Sequence, residues 1–195
     1  MNSYQKLKLV WSVLIGLGLS CSVISMSVAQ ESKRFALKGS TELGGSISYM
    51  STTSVSNGTA ADHALNIIAL QPFVGYFVAD GFEISVNPLG IESISYNGNS
   101  TTQIMVFIAP SYNFKTEGIT YPFLEALVGY TSQSNGSTNS GISWGLRGGV
   151  KLALTDKGLL NLGVQYLQVS MNPSGASTRS GYNQFLVSTG FSIWL

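Results

Sequence analysis

Ile142-Ser143-Trp144-Gly145-Leu146-Arg147-Gly148-Gly149-Val150-Lys151-Leu152-Ala153 is the stretch that decides the fold. Ile142, Trp144, Leu146, Val150 and Leu152 alternate with Ser143, Arg147, Gly149, Lys151 and Ala153. A period of two is the mark of a strand with two unlike faces. One face is aliphatic and aromatic; the other carries two cations. Turning Arg147 and Lys151 toward lipid would cost ~2–4 kcal/mol each at a bilayer midplane. That outweighs the ~1 kcal/mol span of strand propensities. The stretch therefore predicts a strand whose charged face looks into a closed interior and whose apolar face looks out.

The same alternation recurs along the chain. Strands are expected over roughly 40–52, 63–77, 81–96, 101–115, 119–132, 141–154, 158–170 and 181–195. Ala79-Asp80-Gly81, Thr116-Glu117-Gly118 and Asp156-Lys157-Gly158 are short turns in which Gly supplies a positive φ. The intervening segments 52–62, 97–100, 133–140 and 171–180 are rich in Ser, Thr, Asn and Gly. Three of them contain the hairpin signal Asn-Gly, at Asn57, Asn97 and Asn135. Short turns at one end and longer loops at the other, with an even strand count, are the rule for outer-membrane barrels. The expected fold is all-β, an eight-stranded antiparallel up-and-down transmembrane barrel. Pro88 interrupts the alternation of the third strand and suggests a bulge there. Pro72 and Pro110 are also awkward for central strands, because Pro donates no ladder hydrogen bond.

Composition agrees. Charged residues make up 10% of the chain, against ~25% in ordinary soluble domains. Closing the sheet leaves no backbone N–H or C=O unpaired in hydrocarbon. At the N-terminus, Lys6 and Lys8 precede the apolar run Leu9 to Val23, and Ser27-Val28-Ala29 fits a cleavage site. The domain reading is a signal peptide over 1–29, a periplasmic segment over 30–39 and the barrel over 40–195. Without Lys6 and Lys8 the remaining chain has eight basic against nine acidic residues, so it has no basic patch for nucleic acid. Cys21, the only cysteine, falls within the leader behind Gly18-Leu19-Ser20, a poor lipidation motif. The remaining chain then has no thiol, in keeping with an oxidising compartment.

On the inward face the expected charge network is Glu42, Glu83, Glu125, Arg147 and Lys151. Buried charges must be paired, and a small barrel is filled by side chains. The network is therefore read first as a plug and second as a gated polar path. On the outward face Tyr49, Tyr76, Tyr112, Tyr130, Trp144 and Tyr166 are expected to form two aromatic girdles at the lipid interface. His63, the lone histidine, has no second ligand for a metal site, and Asp62 beside it is poorly placed for a catalytic triad. No metal, cofactor or catalytic residue is expected.

Three stretches carry a family resemblance: Glu42-Leu-Gly-Gly-Ser-Ile-Ser-Tyr49, Pro72-Phe-Val-Gly-Tyr-Phe-Val-Ala-Asp80 and Tyr121-Pro-Phe-Leu-Glu-Ala-Leu-Val-Gly-Tyr130. With the closing strand, they make residues 40–195 resemble the outer-membrane β-barrel domain family, the small eight-stranded OmpA/OmpX/OmpW-like barrels. The resemblance implies location in the outer membrane of a Gram-negative cell envelope. It also implies insertion by the barrel assembly machinery, which recognises the last strand. Here that strand ends Phe191-Ser-Ile-Trp-Leu195, with its aromatic residue one place early. The expected partners are outer-membrane lipid and this machinery; the motifs imply no external ligand. The function expected is a non-enzymatic, structural or surface-interacting barrel with a plugged lumen. The alternatives are a narrow channel for small or hydrophobic solutes and a lipid-modifying outer-membrane enzyme.

Overall fold

The computed structural model describes residues 35–52, 55–56, 59–60, 62–135, 137–172 and 180–195. Residues 1–29, expected to be a leader and including Cys21, lie outside the described residues.

Eight long strands make the barrel: β1 Thr41–Thr52, β2 Leu65–Ala79, β3 Phe82–Tyr96, β4 Asn99–Asn113, β5 Thr120–Asn135, β6 Ser137–Ala153, β7 Gly158–Asn172 and β8 Ser180–Trp194. Each pairs antiparallel with its sequence neighbours, and β1 pairs with β8 from Glu42↔Trp194 to Tyr49↔Val187. The sheet is closed, so none of these eight strands is an edge. Val55–Ser56 and Thr59–Ala60 form a separate two-stranded ribbon between β1 and β2.

The two ends differ less cleanly in connection length than the sequence suggests. On the loop end, β3 and β4 meet at a two-residue turn, Asn97-Gly98, and β5 runs to Asn135 with β6 resuming at Ser137. Residues 99–100, 133–135 and 137–140 thus belong to strands, and neither segment 97–100 nor segment 133–140 is a long loop. Asn97 and Gly98 both have positive φ, 48° and 76°, the requirement of a type I′ hairpin whose twist matches its strands. On the other end, β2 and β3 meet at Asp80-Gly81, while β4 and β5 are joined by the longer stretch 114–119.

The third strand carries an irregularity. Its register to β4 shifts between Asn87 and Gly90, and its register to β2 shifts over the Leu70–Val74 stretch that holds Pro72. One extra residue in β3 reverses the sense of alternation, so Gly90 and Glu92 face in although Glu83, Ser85 and Asn87 did so before the break. Pro110 falls in a gap of the β4–β5 ladder between Ile108 and Ser111.

Outside the barrel runs a belt of exposed aliphatic and aromatic side chains, among them Ile47, Val74, Ile108, Val128, Leu146 and Phe191. An exposed apolar surface of that extent marks a membrane-facing wall in place of a solvated one. Residues 35–40 tuck beneath the barrel. Gly39 donates its N–H to Phe77 O at 2.8 Å, and Gly81 donates to Ala36 O at 2.8 Å.

Candidate functional site

The lumen is the part of the molecule where polar chemistry converges, and it is layered. At the short-turn end sits an aromatic floor. Phe35 is buried there, with ring centroids 5.0 Å from Tyr121, 5.3 Å from Phe77 and 5.4 Å from Trp194, all at steep angles. Edge-to-face contacts of this kind match positive ring edges to negative ring faces. Phe35 precedes the first strand, and its ring fills the end of the lumen.

Above this floor lies the charged layer. Lys151 on β6 reaches two carboxylates on other strands: its Nζ is 2.6 Å from Glu42 Oε2 and 3.3 Å from Glu83 Oε2. Ser192 donates to Glu42 Oε1 at 2.6 Å, and Ser111 and Asn113 donate to Glu83 Oε2 at 3.1 and 3.3 Å. Lys151 Nζ also stands 5.2 Å from the centre of the Phe35 ring and 5.5 Å from that of Phe123, within cation–π range. The second ion pair joins register partners on adjacent strands. Arg147 Nη2 lies 2.7 Å from Glu125 Oε1 and 2.9 Å from Oε2. All five charged side chains are buried. The structure resolves them into two separate pairings, a lysine with two carboxylates and an arginine with one. The cavity beside Arg147 and Lys151, bounded also by Phe73, Phe123 and Asn161, has a volume of about 20 Å³. That is room for about one water molecule.

A second apolar layer follows toward the loop end. Met105, Phe107, Ala109, Leu127, Leu167, Val169 and Met171 pack together inside the barrel with Tyr182 against them. Set among these apolar side chains is a polar group around one more carboxylate. Glu92, fully buried, accepts a hydrogen bond from Gln184 Nε2 at 2.9 Å, and Tyr182 donates its O–H to Gln103 Oε1 at 2.7 Å. Sequence reasoning missed Glu92, because simple alternation from Glu83 puts it on the outside. The signal available was the fresh alternation after Pro88, in which Leu89 and Ile91 oppose Gly90 and Glu92.

Tyr49, Tyr76, Tyr112, Tyr130, Trp144 and Tyr166 all project from the outer wall, between 37% and 55% exposed. Tyr49 O–H donates to Asn66 Oδ1 at 3.2 Å, and the Tyr112 and Phe114 rings meet edge to face at 5.0 Å. At the short-turn rim, Asp80 accepts the Lys38 backbone N–H at 2.9 Å and the Lys115 ammonium at 2.9 Å. The Lys38 N–H first, and then Lys115, hold the Asp80 carboxyl below its usual range. His63 is exposed near the loop end, its ring 6.4 Å from that of Tyr96. Among the described residues no three His, Cys, Asp or Glu side chains converge as metal ligands.

A closed ring of eight strands, apolar outside and packed with paired charges inside, defines a membrane-spanning β-barrel. The chain is similar to the crystal structure of Neisserial surface protein A (NspA), at 15% identity and a TM-score of 0.58, over 80% of this chain and 97% of that one. It is also similar to the N-terminal β-barrel domain of Pseudomonas aeruginosa OprF, at 12% identity and a TM-score of 0.51, over 81% of this chain and 98% of that one. The fold is therefore that of the small outer-membrane barrels. No family model matches the chain, and no curated protein does.

Proposed function

We propose that this protein is a non-enzymatic integral outer-membrane barrel whose lumen is plugged by its own side chains. It acts as a structural or surface-interacting element and not as an open pore. The observation that carries this reading is the filling of the lumen in succession by an aromatic floor, the ion pairs, and an apolar cluster that encloses the polar group around Glu92. A solute crossing would have to displace both apolar layers and separate charges that are costly to leave unpaired. On this reading 1–29 is a removed leader, lipid surrounds the outer wall, and β8 is the segment presented to the assembly machinery.

Planar-bilayer recording of the purified, folded protein tests it. No steady conductance is expected. Sustained, single-sized openings of the wild-type chain would instead favour the narrow-channel alternative.

A further inference from the structure

We propose that the outer wall of the barrel holds one acyl chain of a bilayer lipid at a fixed place, in a trough that crosses β1, β8, β7 and β6. The trough has a volume of about 700 Å³, within the ~300–1,000 Å³ range of small-molecule sites. The strand register gives its form. Tyr49, Val187, Val164 and Gly148 are successive register partners and make one outward row. Two residues along the strands, Ile47, Thr189 and Leu162 make the next outward row. Between the two lies the backbone of the inward row Ser48, Ser188, Gly163 and Gly149, which is the floor. Gly148 has no side chain, and this leaves the β6 end of the trough open.

Dimensions and surroundings select the occupant. Neighbouring strands lie ~4.8 Å apart and successive outward rows ~7 Å apart, so the trough is about 15 Å long and about 7 Å wide between backbones. An α-helix with its side chains is ~10–12 Å across and does not enter. An added strand needs unpaired backbone, and β1 and β8 are paired with each other along this stretch. A single methylene chain fits. The trough belongs to the membrane-facing belt, for Ile47, Tyr49, Val164 and Val187 are all exposed on it. Among the described residues none that lines it is charged, and the Tyr49 O–H is committed to Asn66. Strands of such barrels tilt ~35–45°. A trough at right angles to them descends obliquely into the leaflet, as a chain does from its headgroup. The driving force is packing and not transfer from water, since lipid is already as apolar as the wall. An empty trough would forfeit van der Waals contact on both flanks. Ile47, Thr189, Val164 and Val187 are β-branched and stiff at χ1, so the flanks keep their shape.

The test uses the protein folded in phosphatidylcholine vesicles that contain a lipid with a photoactivatable diazirine in its acyl chain. After illumination, the labelled residues are mapped by mass spectrometry. Label should concentrate several-fold on Ile47, Val164 and Val187 over Ile108 and Val128, which are comparably exposed elsewhere on the wall. Gly148→Leu fills the open end and should remove the excess. Val106→Leu adds the same kind of bulk on β4, away from the trough, and should leave the excess in place. The wild-type map decides by itself if Gly148→Leu does not fold. Label spread around the whole wall in proportion to exposure would overturn the proposal. So would label that avoids the trough residues, since another partner would then cover them.

Discussion

Lys151 Nζ and Glu42 Oε2 lie 2.6 Å apart, although the two residues sit on β6 and β1, strands that are not neighbours in the barrel. The bond therefore spans the interior and ties opposite walls together. Glu83, on β3, accepts from the same ammonium at 3.3 Å. One lysine thus bridges two carboxyl groups from different parts of the ring.

That asymmetry makes the three residues unequal. Lys151→Met leaves Glu42 and Glu83 buried without their shared cation and should destabilise the barrel by about 3–5 kcal/mol, the range for breaking a buried ion pair. Glu42→Gln leaves the Lys151–Glu83 contact in place and should cost clearly less. Urea unfolding of vesicle-inserted protein, followed by tryptophan fluorescence, measures both. Equal losses for the two variants would contradict the shared-cation geometry.

Phe35 should behave as part of the barrel core, although it precedes the first strand. It is 1% exposed and touches three aromatic rings. Phe35→Ala should lower stability by about 3–5 kcal/mol, as for other buried Phe truncations. Leu37→Ala, at an exposed position in the same segment, should change it little. The same unfolding assay compares the two.

At the rim, the Asp80 carboxyl is held below its usual range by the Lys38 N–H first and the Lys115 ammonium second. A carboxyl depressed in the folded state contributes stability above its unfolded value, and that contribution is lost as pH falls through the folded value. An NMR titration of Asp80 should place its midpoint below that of an ordinary aspartate. Lys115→Met should raise the midpoint only partly, because the backbone donor remains. An unshifted midpoint in the wild type would rule out this anchoring of the N-terminal segment.

Gly149 marks a close approach of β6 and β7, where it is the register partner of Gly163. A Cβ at Gly149 would collide with backbone, namely Leu162 O and Gly163 Cα. Backbone cannot rotate aside as a side chain can, so Gly149→Ala should cost about 1–3 kcal/mol, as overpacking does. At Gly148 the Cβ would meet only ordinary contacts, 3.6 Å from Phe123 O and 3.7 Å from Leu124 Cδ1. Gly148→Ala should therefore be tolerated. Heat-modified gel migration together with urea midpoints distinguishes the pair.

The legible parts of the fold were those in which charge or alternation constrained the answer. Arg147 and Lys151 set the face of β6, and Glu42, Glu83 and Glu125 set the faces of their strands by the same reasoning. Ile104-Met105-Val106-Phe107-Ile108 carries apolar residues on both faces, so period two is invisible there. The inner apolar layer built on Met105 and Phe107 was hidden for that reason. Glu92 was hidden by the extra residue in β3, which reverses parity partway along the strand. Phe35 sits in a stretch with no periodicity at all, and only the tertiary structure shows where its ring goes. The loop-side ends of β4, β5 and β6 read as loops because they lack apolar residues. A solvated ladder beyond the apolar belt does not require them.

The central claim is that the even-numbered face of β6 looks at hydrocarbon while the interior is closed to it, and two tryptophans report on it directly. Trp144 projects from the outer wall at 47% exposure, and Trp194 is buried at 6% in the lumen floor. In vesicles of lipids brominated along their acyl chains, Trp194→Phe, which keeps Trp144, should lose most of its fluorescence. Trp144→Phe, which keeps Trp194, should be quenched far less. Strong quenching of Trp194 with Trp144 spared, or no quenching of either, would contradict the account.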